Sequence, residues 1–271
     1  PSGNSTLSFF IQTAGPTTYN WTAGSKSGNG TWNTSNNGFV TINVSATSDN
    51  TSLTLSISPD NLRRFYMYDD NQNNLISSTK LLINVTNWGT VKWINMENMF
   101  KGCENLIINN SPTPPNLSNV NSMSSMFEHC FSLNGPENIN SWDVSNVTNM
   151  RYLFREAYSF NKPIGNWNVS NVRDMRGMLA SASSFNQPIG NWNTSNVTVM
   201  EGLFNAASSF NQPIGNWNTS NVAEMNGMFA GTSSFNQPIG NWKVSNVTKM
   251  QYMFSGASSF NQSIGNWDVS K

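Results

Sequence analysis

The stretch Ser184-Phe185-Asn186-Gln187-Pro188-Ile189-Gly190-Asn191-Trp192-Asn193-Thr194-Ser195-Asn196-Val197 decides the architecture, because it recurs on both sides of itself almost letter for letter. Trp142, Trp167, Trp192, Trp217, Trp242 and Trp267 stand 25 residues apart, each inside a version of this phrase. A fixed period of this length marks stacked supersecondary units, each burying its apolar face against its neighbour. A second signature, Met-x-x-(Met/Leu)-(Phe/Leu), sets the register. Its seven copies end at Phe100, Phe127, Phe154, Leu179, Phe204, Phe229 and Phe254. The first two intervals are 27 residues rather than 25, a deviation typical of repeats beside a cap.

Within one coil, Phe160, Ile164, Trp167, Val169, Val172, Met175, Met178 and Leu179 stay apolar from copy to copy and form the inward set. Their spacing predicts a bend through Asn161-Lys162-Pro163, a short strand around Trp167 and Val169, and a short helical or 3₁₀ turn through Met175 and Met178. Columns of Asn, at Asn161, Asn186, Asn211, Asn236 and Asn261 and again at Asn171, Asn196, Asn221 and Asn246, are placed to satisfy turn backbone one coil away. Gly165, Gly190, Gly215, Gly240 and Gly265 mark a position that a side chain would crowd.

Only 10% of the 271 residues are charged and the net charge is zero, so no long-range field draws in nucleic acid or an anionic membrane. No apolar run is long enough for a membrane span, so no direct membrane insertion is expected of this segment. The chain opens at Pro1 without a leader-like segment and stops at Lys271 in mid-repeat. The expectation is an excised piece, with further coils or a covering subunit after it. Ahead of the repeats, Thr6–Gln12, Phe39–Val44 and Ser52–Ile57 alternate apolar with polar residues between Gly, Asn, Ser and Pro clusters, as β-strands do.

The run Met96-Glu97-Asn98-Met99-Phe100-Lys101-Gly102-Cys103-Glu104-Asn105-Leu106, with the repeated Ser-Phe-Asn-Gln-Pro-Ile-Gly-Asn-Trp phrase, resembles the BspA-type leucine-rich-repeat surface proteins. Within them it is most similar to the 25-residue mycoplasma-type branch. The resemblance covers residues 80–271. It implies a leucine-rich-repeat-like solenoid exposed outside a cell or particle, and a preceding immunoglobulin-like β-domain similar to PKD modules. The expected fold is therefore mainly β with short helical turns. A β-sandwich over residues 1–78 leads through a junction and cap at 79–95 into a solenoid of about seven coils over 96–271.

Chemistry is sparse. His129 is the sole histidine, which removes most metal, general-base and Ser-His-Asp schemes, and no Gly-rich phosphate cradle follows a strand. No enzyme, no metal and no cofactor is expected. Glu128, His129 and Cys130 are adjacent potential ligands, but without a second cluster they do not make a zinc site. Asp69 and Asp70 with Asn71, Asn73 and Asn74 read as a solvated turn rather than a calcium loop, since the spaced ligands and terminal Glu are missing. Cys103 and Cys130 occupy equivalent positions of adjacent coils and are a candidate disulfide; the competing reading is two small buried apolar residues. Sequons at Asn4, Asn20, Asn29, Asn33, Asn43, Asn50, Asn84, Asn146, Asn168, Asn193, Asn218 and Asn246 are candidates for N-glycosylation.

The column Asp143, Asn168, Asn193, Asn218, Lys243, Asp268 varies where its neighbours do not, and alternation away from the buried Trp turns it outward on the expected strand face. It is the candidate binding column. The expected role is adhesion or ligand binding at a cell or virion surface, with a protein or glycan on another surface as partner. The alternative is a building block of a surface layer, fibre or viral capsid that assembles with copies of itself.

Overall fold

The computed structural model describes residues 5–32, 38–44, 53–67, 78–108 and 113–270. The Asp69–Asn74 cluster and the sequons Asn4, Asn33 and Asn50 lie outside these residues, and of Asn43 only the backbone is described.

The chain is mainly β with almost no helix. Six strands come first: β1 (Ser5–Thr13), β2 (Thr17–Ala23), β3 (Lys26–Trp32), β4 (Gly38–Val44), β5 (Leu53–Ile57) and β6 (Leu62–Met67). They form two small antiparallel sheets, ordered β4-β1-β6 and β3-β2-β5. The two-residue connection between β2 and β3 turns at Gly24, whose φ of 59° suits the positive-φ position of a tight hairpin. Phe9 and Ile11 of β1 and Ala23 of β2 are buried. Across the β2–β3 pair, Trp21 faces Gly28 and Tyr19 faces Gly30; a Cβ on Gly28 would meet the Trp21 ring at 2.7 Å. These glycines therefore let the rings lie down on the edge strand.

Among the described residues the only helical pieces are the single turn α1 (Ser78–Leu81) and a 3₁₀ turn at Ile139–Ser141. Among the described residues after Met96, hydrogen bonds from one repeat to the next recur throughout. In the third repeat, Met150, Tyr152, Phe154 and Glu156 donate their N–H groups to Asp174, Arg176, Met178 and Ala180 of the fourth, at 2.8–2.9 Å. The alternate residues Leu153, Arg155 and Ala157 instead donate to Met150, Tyr152 and Phe154, closing i→i+3 turns of 3.1–3.2 Å within the repeat. Of the expected helical or 3₁₀ turn at Met175 and Met178, the i→i+3 bond is there, Met178 N–H to the Met175 carbonyl at 3.1 Å, but it is not continued into a helix. A helix would spend every N–H inside the segment, whereas here every second one serves the neighbour. The alternation drives two positions per repeat to positive φ: Tyr152 (55°) and Glu156 (58°) here, Gly202 (60°) and Ala206 (55°) two repeats on.

The expected strand at Trp167 and Val169 is likewise displaced. The parallel bridges fall just before the Met of the second signature, in one line through Ser122, Asn149, Asp174, Val199, Glu224 and Lys249. Trp167 and its equivalents precede a turn, and there the stack is joined by side chains. From Trp167 on, the indoles donate to the Ile carbonyl of the previous repeat, as Trp192 to Ile164, Trp217 to Ile189 and Trp242 to Ile214, at 3.0–3.1 Å. The rings then stack, 6.1 Å between the centroids of Trp192 and Trp217 and 6.4 Å between Trp217 and Trp242. Parallel columns of Phe run beside them, with Phe160–Phe185 at 5.8 Å and Phe204–Phe229 at 5.7 Å. Such pairs add about 0.5–1.5 kcal/mol each beyond the burial of the rings.

The polar columns work as the sequence predicts. Asn161 Oδ1 accepts the Asn186 N–H at 3.0 Å and the Gln187 side chain at 3.0 Å, and the pattern repeats at Asn186, Asn211 and Asn236. Asn171, Asn196, Asn221 and Asn246 each donate Nδ2 to a Ser carbonyl of the previous repeat at 2.7 Å. The first repeat meets β6 directly: Met67 N–H donates to the Met99 carbonyl at 3.0 Å and the Phe65 ring sits 6.3 Å from Phe100.

Candidate binding surface

The column Asp143, Asn168, Asn193, Asn218, Lys243, Asp268 is exposed along its whole length. It lies at the start of the turn after each Trp rather than on a strand face, the parallel bridges falling elsewhere in the repeat. The reason is local: Asp and Asn side chains fold back on their own backbone and favour turns. Asp143, Asn168, Asn193, Asn218 and Asp268 each accept, through Oδ1, the N–H of the Ser two residues on, at 3.1–3.2 Å. The Ser145 hydroxyl and N–H together hold the Asp143 carboxyl below the usual carboxylate range. One oxygen of each side chain thus serves the fold and the remainder faces solvent. Lys243, without a side-chain oxygen, interrupts the series.

Of the described sequons, Asn20, Asn29, Asn146, Asn168, Asn193, Asn218 and Asn246 are exposed. Asn84 is half-buried, while Asn146 and Asn246 lend Nδ2 to Ser118 and Ser220 of the previous repeat. Cys103 and Cys130 are not bridged, against the disulfide alternative; both are free and fully buried. Cys130 Sγ instead points at the Phe100 carbonyl, 3.0 Å away. Burial raises both thiols well above their ordinary pKa, so neither is a thiolate at neutral pH. Among the described residues no three His, Cys, Asp or Glu side chains are gathered to hold a metal ion, and no helix is long and apolar enough to cross a membrane.

A second surface escaped the sequence reading. Three columns flank the Met signature on its C-terminal side, one, two and four residues after its final Phe or Leu. In the first three repeats they carry Lys101, Gly102 and Glu104, then Glu128, His129 and Phe131, then Arg155, Glu156 and Tyr158. From the fourth repeat on, the same columns carry only Ala, Asn, Ser and Gly. Aligning the copies and looking for departures, rather than for the shared phrase, would have found them.

These side chains form one network. The Glu128 carboxylate, 3% exposed, meets Lys101 Nζ at 2.8 Å and Arg155 at 3.3 Å. Burial raises its pKa, but hydrogen bonds from Lys101 and Ser125 and the charges of Lys101 and His129 prevail and hold it below the ordinary value. His129 lies between two carboxylates, Nδ1 at 2.9 Å from Glu156 and Nε2 at 3.5 Å from Glu128. Phe131 stacks on Tyr158 with centroids 5.0 Å apart and planes 15° apart, and His129 stands edge-on to Phe131 at 6.1 Å. Beside this network, between the first two repeats and α1, opens a cavity of about 380 Å³. Phe131, His129, Lys101, Glu104, Lys80 and Thr79 are among its walls.

The architecture and surface define a β-rich repeat protein whose copies differ chiefly in what they expose. A family model described as "Mycoplasma protein of unknown function, DUF285" matches residues 67–189 and 181–271, and the chain belongs to this repeat family. No curated protein and no solved structure matches the chain.

Proposed function

We propose that residues 96–271 form a leucine-rich-repeat-like solenoid of about seven coils, capped by residues 79–95 and preceded by an immunoglobulin- or PKD-like β-sandwich over 1–78. The protein is displayed outside a cell or particle, without catalytic activity, and adheres through its repeat surface to a protein or glycan on another surface. The observation that carries this reading is the exposed turn column from Asp143 to Asp268, which offers similar hydrogen-bonding groups at one-repeat intervals. Repetition converts a weak contact into an avid one when the partner is also repetitive, as surface glycans and matrix proteins are. The carboxylates support it from the other side. Glu224 is engaged by Lys249 at 2.9 Å and Arg176 at 2.8 Å, so it ties repeats together instead of facing a substrate.

The test is binding of the labelled chain to immobilised glycans, matrix proteins and intact cells. Saturable binding that weakens when the number of repeats is reduced is expected. Absence of binding to any of them overturns adhesion. A second reading, a building block of a surface layer, fibre or capsid, is favoured by the near-identity of the coils from about residue 160 onward, which present one face repeatedly. Ordered filaments or sheets in negative-stain micrographs of the non-binding protein would decide for it.

A further inference from the structure

The stack supplies its own control for what stacking requires. Repeats four to six pass their N–H groups to the next repeat as the first three do, for example Ser181 to Asn205 at 2.6 Å and Ala206 to Ala230 at 2.7 Å. They do so with Ala, Asn, Ser and Gly at the three flanking columns. The large side chains of the leading repeats are therefore not demanded by the fold. Two of them also sit at a positive-φ position, His129 at 60° and Glu156 at 58°, which the later repeats fill with the small residues Ser181, Ala206, Gly231 and Gly256, so the backbone there does not call for a large side chain.

We propose that the cavity walled by Phe131, His129, Lys101, Glu104, Lys80 and Thr79 binds a neutral glycosyl unit, the end of a glycan chain. The proposal rests on the adhesion reading and locates its specificity. An aromatic ring held rigidly beside polar groups suits a pyranose, which has an apolar C–H face and a rim of hydroxyls. Tyr158 braces the Phe131 ring on one face and His129 stands against it edge-on, so the ring is fixed before any ligand arrives. The rim supplies donors and acceptors alike: the ammonium groups of Lys80 and Lys101 and the Glu104 carboxylate.

Charge pairing selects a neutral ligand. Lys80 is 3.4 Å from Glu104, Lys101 is 2.8 Å from Glu128, and His129 is 2.9 Å from Glu156. Each ammonium is already balanced by a carboxylate, so a phosphate or sulfate would bring uncompensated negative charge beside Glu104 and Glu128, whereas a hydroxyl can bond to both members and leave the pair intact. Size argues in the same direction. About 380 Å³ is near the lower end for small-molecule sites.

The experiment is saturation-transfer NMR on the intact chain with the methyl glycosides of glucose, galactose, mannose and N-acetylglucosamine, followed by titration of those that respond. Phe131→Ser and Tyr158→Ser install the residue that stands at Ser183 and Ser208 in later repeats, so the stack tolerates them; an unchanged far-ultraviolet circular dichroism spectrum verifies this. The expected result is saturation on one ring face of at least one glycoside, with affinity falling tenfold or more in Phe131→Ser and unchanged in Ser208→Ala. No response from any neutral glycoside, tighter binding of a sulfated sugar or an acidic peptide, or affinity indifferent to Phe131→Ser overturns the proposal. Retained adhesion of Phe131→Ser to cells sinks this site and leaves the adhesion reading standing; loss of all binding by the parent chain sinks both.

Discussion

Gly165→Ala is the substitution that most directly probes whether the repeats are pressed together as described. A Cβ at Gly165 would stand 2.5 Å from the Pro188 carbonyl oxygen, against the 3.4–4 Å of ordinary contact, so the two repeats must separate by about 0.9 Å there. The φ of Gly165 is not in the left-handed region, so the backbone itself accepts alanine and the clash is isolated. The neighbouring bonds cannot absorb such a shift. Asn186 N–H to Asn161 Oδ1 is 3.0 Å and Trp192 Nε1 to the Ile164 carbonyl is 3.1 Å, and a further 0.9 Å breaks both. Overpacking of this kind costs about 1–3 kcal/mol, and a lost bond to a buried group adds about 1 kcal/mol. The same column holds a control: at Gly265 a Cβ meets nothing within 4 Å. Gly265→Ala should leave stability within about 0.5 kcal/mol or raise it slightly by restricting the unfolded chain. Urea titration followed by tryptophan fluorescence measures both variants. Equal midpoints for Gly165→Ala and Gly265→Ala would refute the packing argument, because only repeat-to-repeat contact distinguishes the two sites.

Three further outcomes follow from the contacts above. Trp217→Phe keeps most of the stacked ring but removes the donor to the Ile189 carbonyl, 3.0 Å away, and should cost about 1–3 kcal/mol in the same titration. Cys103 and Cys130, buried and raised in pKa, should react with a thiol reagent only once urea unfolds the chain; rapid reaction of the native protein would contradict their placement. The folded pKa of Glu128 is depressed below its ordinary 4.5, so its stabilising contribution is present above that pH and is lost as pH falls through the folded value. Glu128→Gln should therefore flatten the fall in stability below about pH 4.5, and a parallel pH profile for parent and variant would count against the network.

The periodicity was fully legible in the sequence because a stack repeats its needs. Trp167 must donate to Ile139, Asn186 must accept from Asn211, and Gly165 must admit Pro188, and each need returns one repeat later with the same residue type. Conformation inside a repeat was less legible. The Met175–Met178 spacing fits a helical turn and a chain of β-turns equally well, and hydrogen bonds to the next repeat, a tertiary fact, decide between them. The glycines at 177, 202 and 227, all at positive φ, were the local clue against a helix, obscured by Tyr152 and Tyr252 in the same column. In the first 67 residues β2, β3 and β6 were not read as strands; in β3 Gly28 and Gly30 weaken the alternation, yet they are there to receive Trp21 and Tyr19. The exposed turn column was found by its variability but assigned to the wrong edge, since an Asx-turn and a strand end both expose alternate residues.

The same physics explains why the flanking columns of the leading repeats could diverge. What a repeat requires is set by its neighbours on both sides: indole to carbonyl, amide to amide, ring on ring. Those requirements consume the inward residues and the polar ladders but leave the flanking columns unconstrained, as Ala180, Asn205, Ala230 and Ser255 at one position demonstrate. A repeat in the middle of identical neighbours offers any ligand many equivalent places and so no preferred one. The leading repeats have a different neighbour on one side, where Asn105 donates to the Lys80 carbonyl at 2.9 Å and α1 walls off the cavity. That asymmetry turns an open stripe into a concave site. It is also where the chain concentrates its sole histidine, its buried carboxylate Glu128 and the stacked Phe131–Tyr158 pair, so geometry and chemistry depart from the repeat at the same place.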